Sequence, residues 1–413
     1  MRDFFPEEMV LRNHIFDAWK TAAERFGFIQ YDACVVESLD LLKRKAGEEI
    51  VEQIYSFTDK SGRWLALRPE MTPTLARMVA SRQGSLSFPI KWFAIAQCFR
   101  YERMSKGRKR EHFQWNMDVI GEDSVSAEAE VVAAAVESLR LMGLSQETFK
   151  VHFSSRSLLS SLLRKSGIEA QHHSAVFLAL DKKGKIPDGE IEAILKTAGL
   201  DNAAISRAFD LLGINSFDQV VSMLGESDEA VRNIKRFMEL AEIRGISVSL
   251  VFDISVVRGL TYYTGIVFEG FDINRKFRAI FGGGRYDNLL GDIGGRSASG
   301  VGLGFGDVVI AELIQDLGKN PAGRSVVGVM VGFMDPAQES VATRLATAMR
   351  LNGKAVDLGL HHEKAKSFFS RAGKSSMQEA VYIGPYDIAQ GKARIKNLQT
   401  RVETEIIFKD VLG

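Results

Sequence analysis

Two β-rich runs, residues 91–103 and 111–120, are separated only by the short basic loop 105–110, and this spacing predicts a strand–loop–strand pair. On the outgoing run Gln114, Asn116 and Asp118 fall on one face by the two-residue period of a strand. A polar repeat where a core-facing strand should be apolar reads as the wall of a pocket. Arg100, Arg103, Lys106, Arg108, Lys109 and Arg110 crowd on or beside the loop, and guanidinium forks match the oxygens of a polyphosphate. The plainer reading of the same residues is a solvated basic turn on an exposed hairpin.

The 413 residues predict two or three domains. With 46% hydrophobic residues, 25% charged and only 8 prolines, the chain has enough apolar material for ordered cores, which excludes a disordered or low-complexity protein. Its longest apolar run, 326–334, is too short to cross a bilayer, and the residues after Met1 form no signal-peptide core. Two cysteines, Cys34 and Cys98, supply neither a disulfide framework nor a four-thiolate zinc site. The expectation is a soluble protein of the cytoplasm, or of an organellar matrix once a transit peptide is gone. Net charge is +1, but residues 321–413 hold 13 Lys+Arg against 9 Asp+Glu, a mild basic excess suited to nucleic acid and also common on ordinary surfaces.

Leu11, Ile15, Trp19, Ala22 and Phe26 recur at helical spacing, and Gly27 closes that helix. A β-like stretch follows at 30–36. Strands are predicted over 53–58 and 64–68 around an Asp59–Gly62 turn, and a helix over 127–142. From about 155 to 246 leucine, alanine and serine at helical spacing read as a helical insertion. Strands resume at 247–254, 262–271, 278–282 and 299–306, then a helix at 307–316. Residues 318–323 form a linker, and the remainder alternates strand and helix as in an α/β domain.

Three further clusters carry chemistry. Arg258-Gly-Leu-Thr-Tyr262-Tyr263 sets a cation and two phenols at the head of a strand. Gly282-Gly-Gly-Arg-Tyr-Asp287 permits close backbone approach by a ligand, or forms a turn. Glycine at 300, 302, 304 and 306 strips one face of a strand bare, making room for a flat ligand; the G-x-G-x-x-G dinucleotide pattern is not met there. No G-x-S-x-G, partnered catalytic cysteine or H-E-x-x-H occurs.

Taken in order, these motifs resemble a known family. Phe99-Arg-Tyr-Glu-Arg103 with Gly107-Arg108 is similar to motif 2 of class II aminoacyl-tRNA synthetases. Arg258–Tyr263 and Gly282–Asp287 look like the two signatures of histidyl-tRNA synthetases, and Leu67-Arg-Pro-Glu-Met-Thr72 resembles that family's early strand at the amino acid. The wording is nearest its bacterial and plant-organelle branch. The resemblance implies an α+β fold: a class II antiparallel sheet of six or seven strands flanked by helices, with a helical insertion. A catalytic domain would span 1–320 and an α/β anticodon-binding domain 325–413, in a homodimer. L-histidine and ATP would give histidyl-adenylate and pyrophosphate, and tRNA(His) would receive the histidine, with Mg²⁺ on the pyrophosphate.

Carried onto this chain, Glu70, Thr72 and Gln114 would hold the α-amino group of histidine. Asp118 and Tyr263 would face the imidazole, with Tyr262 and Tyr286 lining its pocket. Arg258 would bridge the histidine carboxylate and the α-phosphate. Arg100 and Arg108 would grip the ATP phosphates, with Glu102 and Gly304 also at the nucleotide, and the adenine-stacking aromatic falls on His112 or Phe113. The chain departs from the pattern at several points. Val308 and Val309 stand in place of the motif 3 Glu–Arg pair, Cys34 in place of the motif 1 proline ahead of Glu37, and Asp118 in place of a glutamate. A few residues expected before Met1 are lacking. The alternative is a non-catalytic relative, the histidine-binding regulatory subunit of ATP phosphoribosyltransferase; a fold-retaining nucleic-acid-binding scaffold is a third. The retained Arg100, Arg108, Arg258, Tyr262 and Tyr263, and the long block beyond the linker, favour the synthetase.

Overall fold

A computed structural model describes residues 1–43, 51–183, 186–257, 262–322 and 326–409. It divides into two compact units, Met1–Pro321 and Ala322–Gly413.

In the first unit, helix Pro6–Arg25 leads into β1 (Ile29–Gln30). Pro6 begins that helix, where its missing N–H costs nothing, and Gly27 leaves it at φ +73°. Of the predicted stretch 30–36, only its ends are strand: β1 and β2 (Val36–Ser38). β2 pairs with β4 (Trp64–Leu67), and β4 with β3 (Ser56–Thr58), as a small separate sheet. The large sheet takes β5 (Ile90–Phe99), β6 (Glu111–Ile120), β7 (Phe149–Ser155), β8 (Leu250–Phe252), β9 (Ile266–Asp272), β10 (Phe281–Tyr286) and β11 (Gly300–Gly306). Its order is β1-β5-β6-β11-β10-β9-β7-β8.

The six central strands are antiparallel at every junction, whereas β1 and β8 join the two edges in parallel. The sheet is thus the expected antiparallel one with a short parallel strand added at each edge. The parallel β7–β8 pairing requires a long crossover. Helices Arg156–Lys165, His173–Lys182, Asp188–Thr197, Asn202–Leu212, Phe217–Leu224 and Glu229–Ile243 supply it.

The triple glycine, for which a turn was one reading, lies inside β10 instead. A Cβ on Gly283 would sit 2.1 Å from the Gly302 carbonyl oxygen, so glycine is what lets β10 and β11 pack at that point. Along the central strands alternate residues serve opposite faces. Phe93, Trp115, Met117, Val119, Phe281, Val301, Leu303 and Phe305 pack with Trp19 and helix Ser126–Leu141 in the main core. The opposite face is the candidate site.

The second unit is a five-stranded sheet, ordered β13-β12-β14-β15-β16. It comprises β12 (Val326–Phe333), β13 (Ala355–Leu358), β14 (Met377–Ile383), β15 (Lys392–Asn397) and β16 (Glu403–Ile407). β12 runs parallel to β13 and β14, while β15 and β16 follow antiparallel. Val329, Val331, Phe333, Leu345, Val381 and Ile383 form its core with helix Glu339–Leu351.

Candidate active site

The face opposite the main core is a trough whose floor has almost no side chains. On β11, Gly300, Gly302, Gly304 and Gly306 lie across from Ile120, Asp118, Asn116 and Gln114 of β6. On β10, Tyr286, Gly284 and Gly282 lie across from Gly300, Gly302 and Gly304. On the other side of β6, Trp92, Ala94, Ala96 and Cys98 of β5 pair with Asp118, Asn116, Gln114 and His112. One polar strand therefore runs between a glycine strip and an alanine strip. The space is used closely: a Cβ on Gly302 would come within 2.4 Å of Asp118 Oδ1, one on Gly300 within 2.2 Å of the Tyr286 ring, and one on Gly304 within 3.0 Å of Gln114 Nε2.

At one end of the trough two buried carboxylates each accept from a tyrosine. Tyr286 donates to Asp118 Oδ1 at 2.6 Å, and Tyr262 donates to Glu70 Oε2 at 3.2 Å. The Tyr262 ring lies 4.9 Å from that of Tyr263 and 6.0 Å from that of Tyr286, so the three phenols and both carboxylates belong to one nest. Thr72, also buried, opens helix Thr72–Arg82 two residues beyond Glu70. Burial pushes the Asp118 carboxyl up to about 7; the Tyr286 hydrogen bond works against that shift, and the charge of Glu70 adds to it. Asp118 Oδ2 is buried and without a hydrogen-bond partner among the described residues. Towards the middle, Gln114 donates to Asn116 Oδ1 at 3.0 Å. His112, held down to about 3 by burial and by the charge of Arg100, is neutral.

At the other end Arg100 donates to the Pro69 carbonyl at 2.9 Å, and Glu102 takes both Arg100 (3.9 Å) and Arg108 (3.0 Å). Gly107 turns the loop at φ +75°, and its amide donates to Glu312 Oε1 at 3.2 Å. The basic loop is thus folded back rather than waving in solvent: Lys106 lies 4.5 Å over the Phe277 ring and Arg110 4.2 Å over Tyr101. A trough with buried acids at one end and anchored guanidiniums at the other can hold a small zwitterion beside a polyphosphate.

A family model described as histidyl-tRNA synthetase matches residues 1–306. The chain belongs to the histidyl-tRNA synthetase family. It is 42% identical over 410 residues to the chloroplastic/mitochondrial histidine–tRNA ligase of Arabidopsis thaliana, covering 99% of this chain and 84% of that one. It is 38% identical over 411 residues to the histidine–tRNA ligase of Opitutus terrae, covering 98% and 94%. The crystal structure of histidyl-tRNA synthetase from Nostoc shares the fold, with a TM-score of 0.80 at 21% identity over 99% of this chain and 96% of that one.

Against the pattern of the histidyl-tRNA synthetase family, the structure gathers Glu70, Thr72, Gln114, Asp118, Tyr262, Tyr263, Tyr286 and Gly304 along the trough, with Arg100, Glu102 and Arg108 at its basic end. Arg258 lies outside the described residues. The aromatic choice between His112 and Phe113 divides by face. His112 is on the trough strip, whereas Phe113 turns to the opposite side, 5.2 Å from the Phe16 ring and with the Arg12 guanidinium 4.3 Å over it. Adjacent strand residues cannot share a face, so Phe113 does not line the trough. Val308 and Val309 are buried in the first turn of helix Asp307–Asp316. A Cβ on Gly107 would meet Val309 Cγ2 at 3.4 Å and the Arg278 stem at 3.5 Å, so an arginine stem does lie beside the motif 3 valine. The motif reading did not anticipate Arg2, whose guanidinium bridges Glu111 (3.1 Å) and Asp307 (2.9 Å) and ties the starts of β6 and the motif 3 helix together. A single arginine far from every motif gives no periodic signal.

Proposed function

We propose that the chain is a histidine–tRNA ligase that activates L-histidine with ATP and then transfers histidine to the 3′ end of tRNA(His). The observation that carries this reading is the pair of buried, tyrosine-bonded carboxylates, Glu70 and Asp118, on a glycine floor that leads to anchored arginines. Glu70, Thr72 and Gln114 receive the α-ammonium group, and Asp118 Oδ2 accepts the imidazole N–H. Arg100 and Arg108 hold the triphosphate, with Glu102 fixing both guanidiniums, and His112 offers its neutral ring to the adenine. The histidine carboxylate is already a competent nucleophile. Its oxygen forms a bond to the α-phosphorus as the bond to the pyrophosphate oxygen breaks, so positioning and charge stabilisation suffice without a general base. Arg258 supplies that stabilisation between the carboxylate and the α-phosphate.

Mg²⁺, bound together with the nucleotide, would supply charge neutralisation on its phosphates. Among the described residues no group of three His, Cys, Asp or Glu side chains forms a metal cage, which suits an ion carried mainly by substrate phosphates and water. Residues 1–320 form the catalytic domain, with the helices of about 155–246 as its insertion. Residues 325–413 bind the anticodon region, a role supported by their basic excess. A second copy of the chain covers the small sheet, where Val36, Phe57 and Trp64 are 40%, 42% and 61% exposed. No helix among the described residues is long and apolar enough to cross a membrane; we assign the protein to the cytoplasm or an organellar matrix.

Histidine-dependent exchange of labelled pyrophosphate into ATP, with Mg²⁺ and without tRNA, tests the activation step. Exchange with histidine and with no other amino acid is expected. Thermal stabilisation by histidine with no exchange would replace this reading with the histidine-binding regulatory subunit.

A further inference from the structure

His112 faces the trough just past the end of a ladder. On one side it pairs with Cys98 of β5, but the β6–β11 pairing stops at Gln114 and Gly306, two residues short of it. β11 therefore gives His112 no cross-strand neighbour among the described residues. Its Nε2 lies 3.4 Å from Gln114 Oε1, an acceptor, which sets the proton of the neutral ring on Nε2. Burial first, then the charge of Arg100 and last that of Arg2 hold the ring down to about 3, so it stays neutral.

The two neighbours of His112 in the chain turn to the other face, and one guanidinium holds both. Arg2 donates from Nε to Glu111 Oε2 at 3.1 Å and from Nη2 to the Glu111 carbonyl at 3.3 Å. The same Nη2 lies 2.9 Å from Asp307 Oδ2, and Asp307 Oδ1 accepts from the Phe113 amide at 2.9 Å. Asp307 opens the helix that follows β11, so this circuit ties β6 to the end of β11 where the ladder lets go. The two carboxylates are 2% and 6% exposed, so water competes little for their charges. Behind the circuit the Arg2 guanidinium lies 4.9 Å over the Phe4 ring, which sits edge-on to Phe113 at 6.2 Å. A planar fork reaches two carboxylates and a carbonyl at once, which a lysine ammonium on its single stem does not.

We infer that Arg2 is a positioning residue for the nucleotide base: by clamping Glu111 and Asp307 it fixes His112 in the pose that receives the adenine ring. This rests on the reading of the trough as a site for histidine beside ATP. Arg100 and Arg108, which hold the phosphates, are anchored by Pro69 and Glu102 and not by Arg2. The influence of Arg2 therefore falls on the base and spares the phosphates. Without the clamp, His112 must be ordered when the base arrives, and that ordering weakens binding.

Titration of the full chain, of Arg2→Ala and of Arg2→Lys with ATP and, separately, with inorganic tripolyphosphate and with histidine tests the inference. All titrations are made with Mg²⁺ present and at a temperature where each chain is folded by near-UV circular dichroism. Arg2→Ala is expected to bind ATP about threefold to tenfold more weakly, and to keep its affinities for tripolyphosphate and histidine within about twofold. Arg2→Lys keeps the cation without the fork. It should melt closer to wild type than Arg2→Ala does and still show the selective loss on ATP, and it decides the matter if Arg2→Ala does not fold. A merely structural role would weaken all three ligands together. That result, or unchanged ATP affinity in the folded variants, would overturn the role of Arg2. Wild type that fails to bind ATP at all would overturn the trough reading instead.

Discussion

Arg285 and Glu128 form a two-pronged ion pair, Nε to Oε1 at 2.7 Å and Nη2 to Oε2 at 2.6 Å, with both side chains buried on the core side of β10. Arg285 also donates to the Glu122 and Ser124 carbonyls, so it staples helix Ser126–Leu141 to the sheet. Its neighbour Tyr286 points the other way, into the trough. Breaking such a pair from one side leaves an uncompensated buried charge, so Glu128→Gln should cost about 3–5 kcal/mol in urea denaturation. Histidine affinity per folded molecule should stay within about twofold. A large loss of affinity without loss of stability would place Arg285 in the site.

Gly302 and Gly306 lie on the same glycine strip, but only the first is crowded. Gly302→Ala puts a methyl where Asp118 Oδ1 and the Tyr286 ring already are, whereas a methyl on Gly306 meets nothing within 4 Å. Gly302→Ala should lower histidine affinity by at least about tenfold and cost about 1–3 kcal/mol of stability by overpacking. Gly306→Ala should leave histidine affinity near the wild-type value. Equal behaviour of the two variants in a histidine titration would contradict the close packing of the floor.

Asp118 is held up to about 7, above its unfolded value near 4, so the folded chain binds this proton more tightly than the unfolded chain does. Its contribution to stability is whole below about pH 4 and is lost as the pH rises through about 7. Asp118→Asn has no such loss. The ligand-free variant should therefore gain on wild type between pH 5 and 8, by at most about 4 kcal/mol. Urea midpoints measured across that range check this, and a gap that does not grow with pH would contradict it.

Arg2 holds two carboxylates: Glu111, 2% exposed, and Asp307, which burial pushes up to about 6 even though the charge of Arg2 opposes the shift. Arg2→Ala removes that opposition, so the Asp307 carboxyl should rise further. The loss, about 3–5 kcal/mol at pH 8, should shrink towards pH 5 as the orphaned acid takes a proton. Thermal melts of wild type and variant at the two pH values measure it; an equal loss at both would mean the bridge acts through packing alone.

The hairpin and the polar face of β6 were legible because a two-residue period is local: Gln114, Asn116 and Asp118 share a side whatever else the chain does. The glycines of β11 were legible for the same reason. The glycines of β10 were not, because glycine locally suits a turn, and only the close approach of Gly302 makes it the residue a strand needs at 283. The parallel edges were missed because β1 and β8 are two and three residues long, too short to show a period. Arg2 and the Arg285–Glu128 staple depend on partners roughly 100 to 300 residues away in sequence, which spacing does not report.

β6 gives its even-numbered residues to the trough and its odd-numbered residues, Trp115, Met117 and Val119, to the core. Slipping the strand by one position would turn indole and thioether into the pocket and bury amide and carboxylate under the helices. Molecules that pair β6 in the wrong register would therefore lose their hydrophobic interior along with the trough, leaving no stable form with an altered trough to persist. Accurate strand pairing during folding thus also guards the shape of the trough.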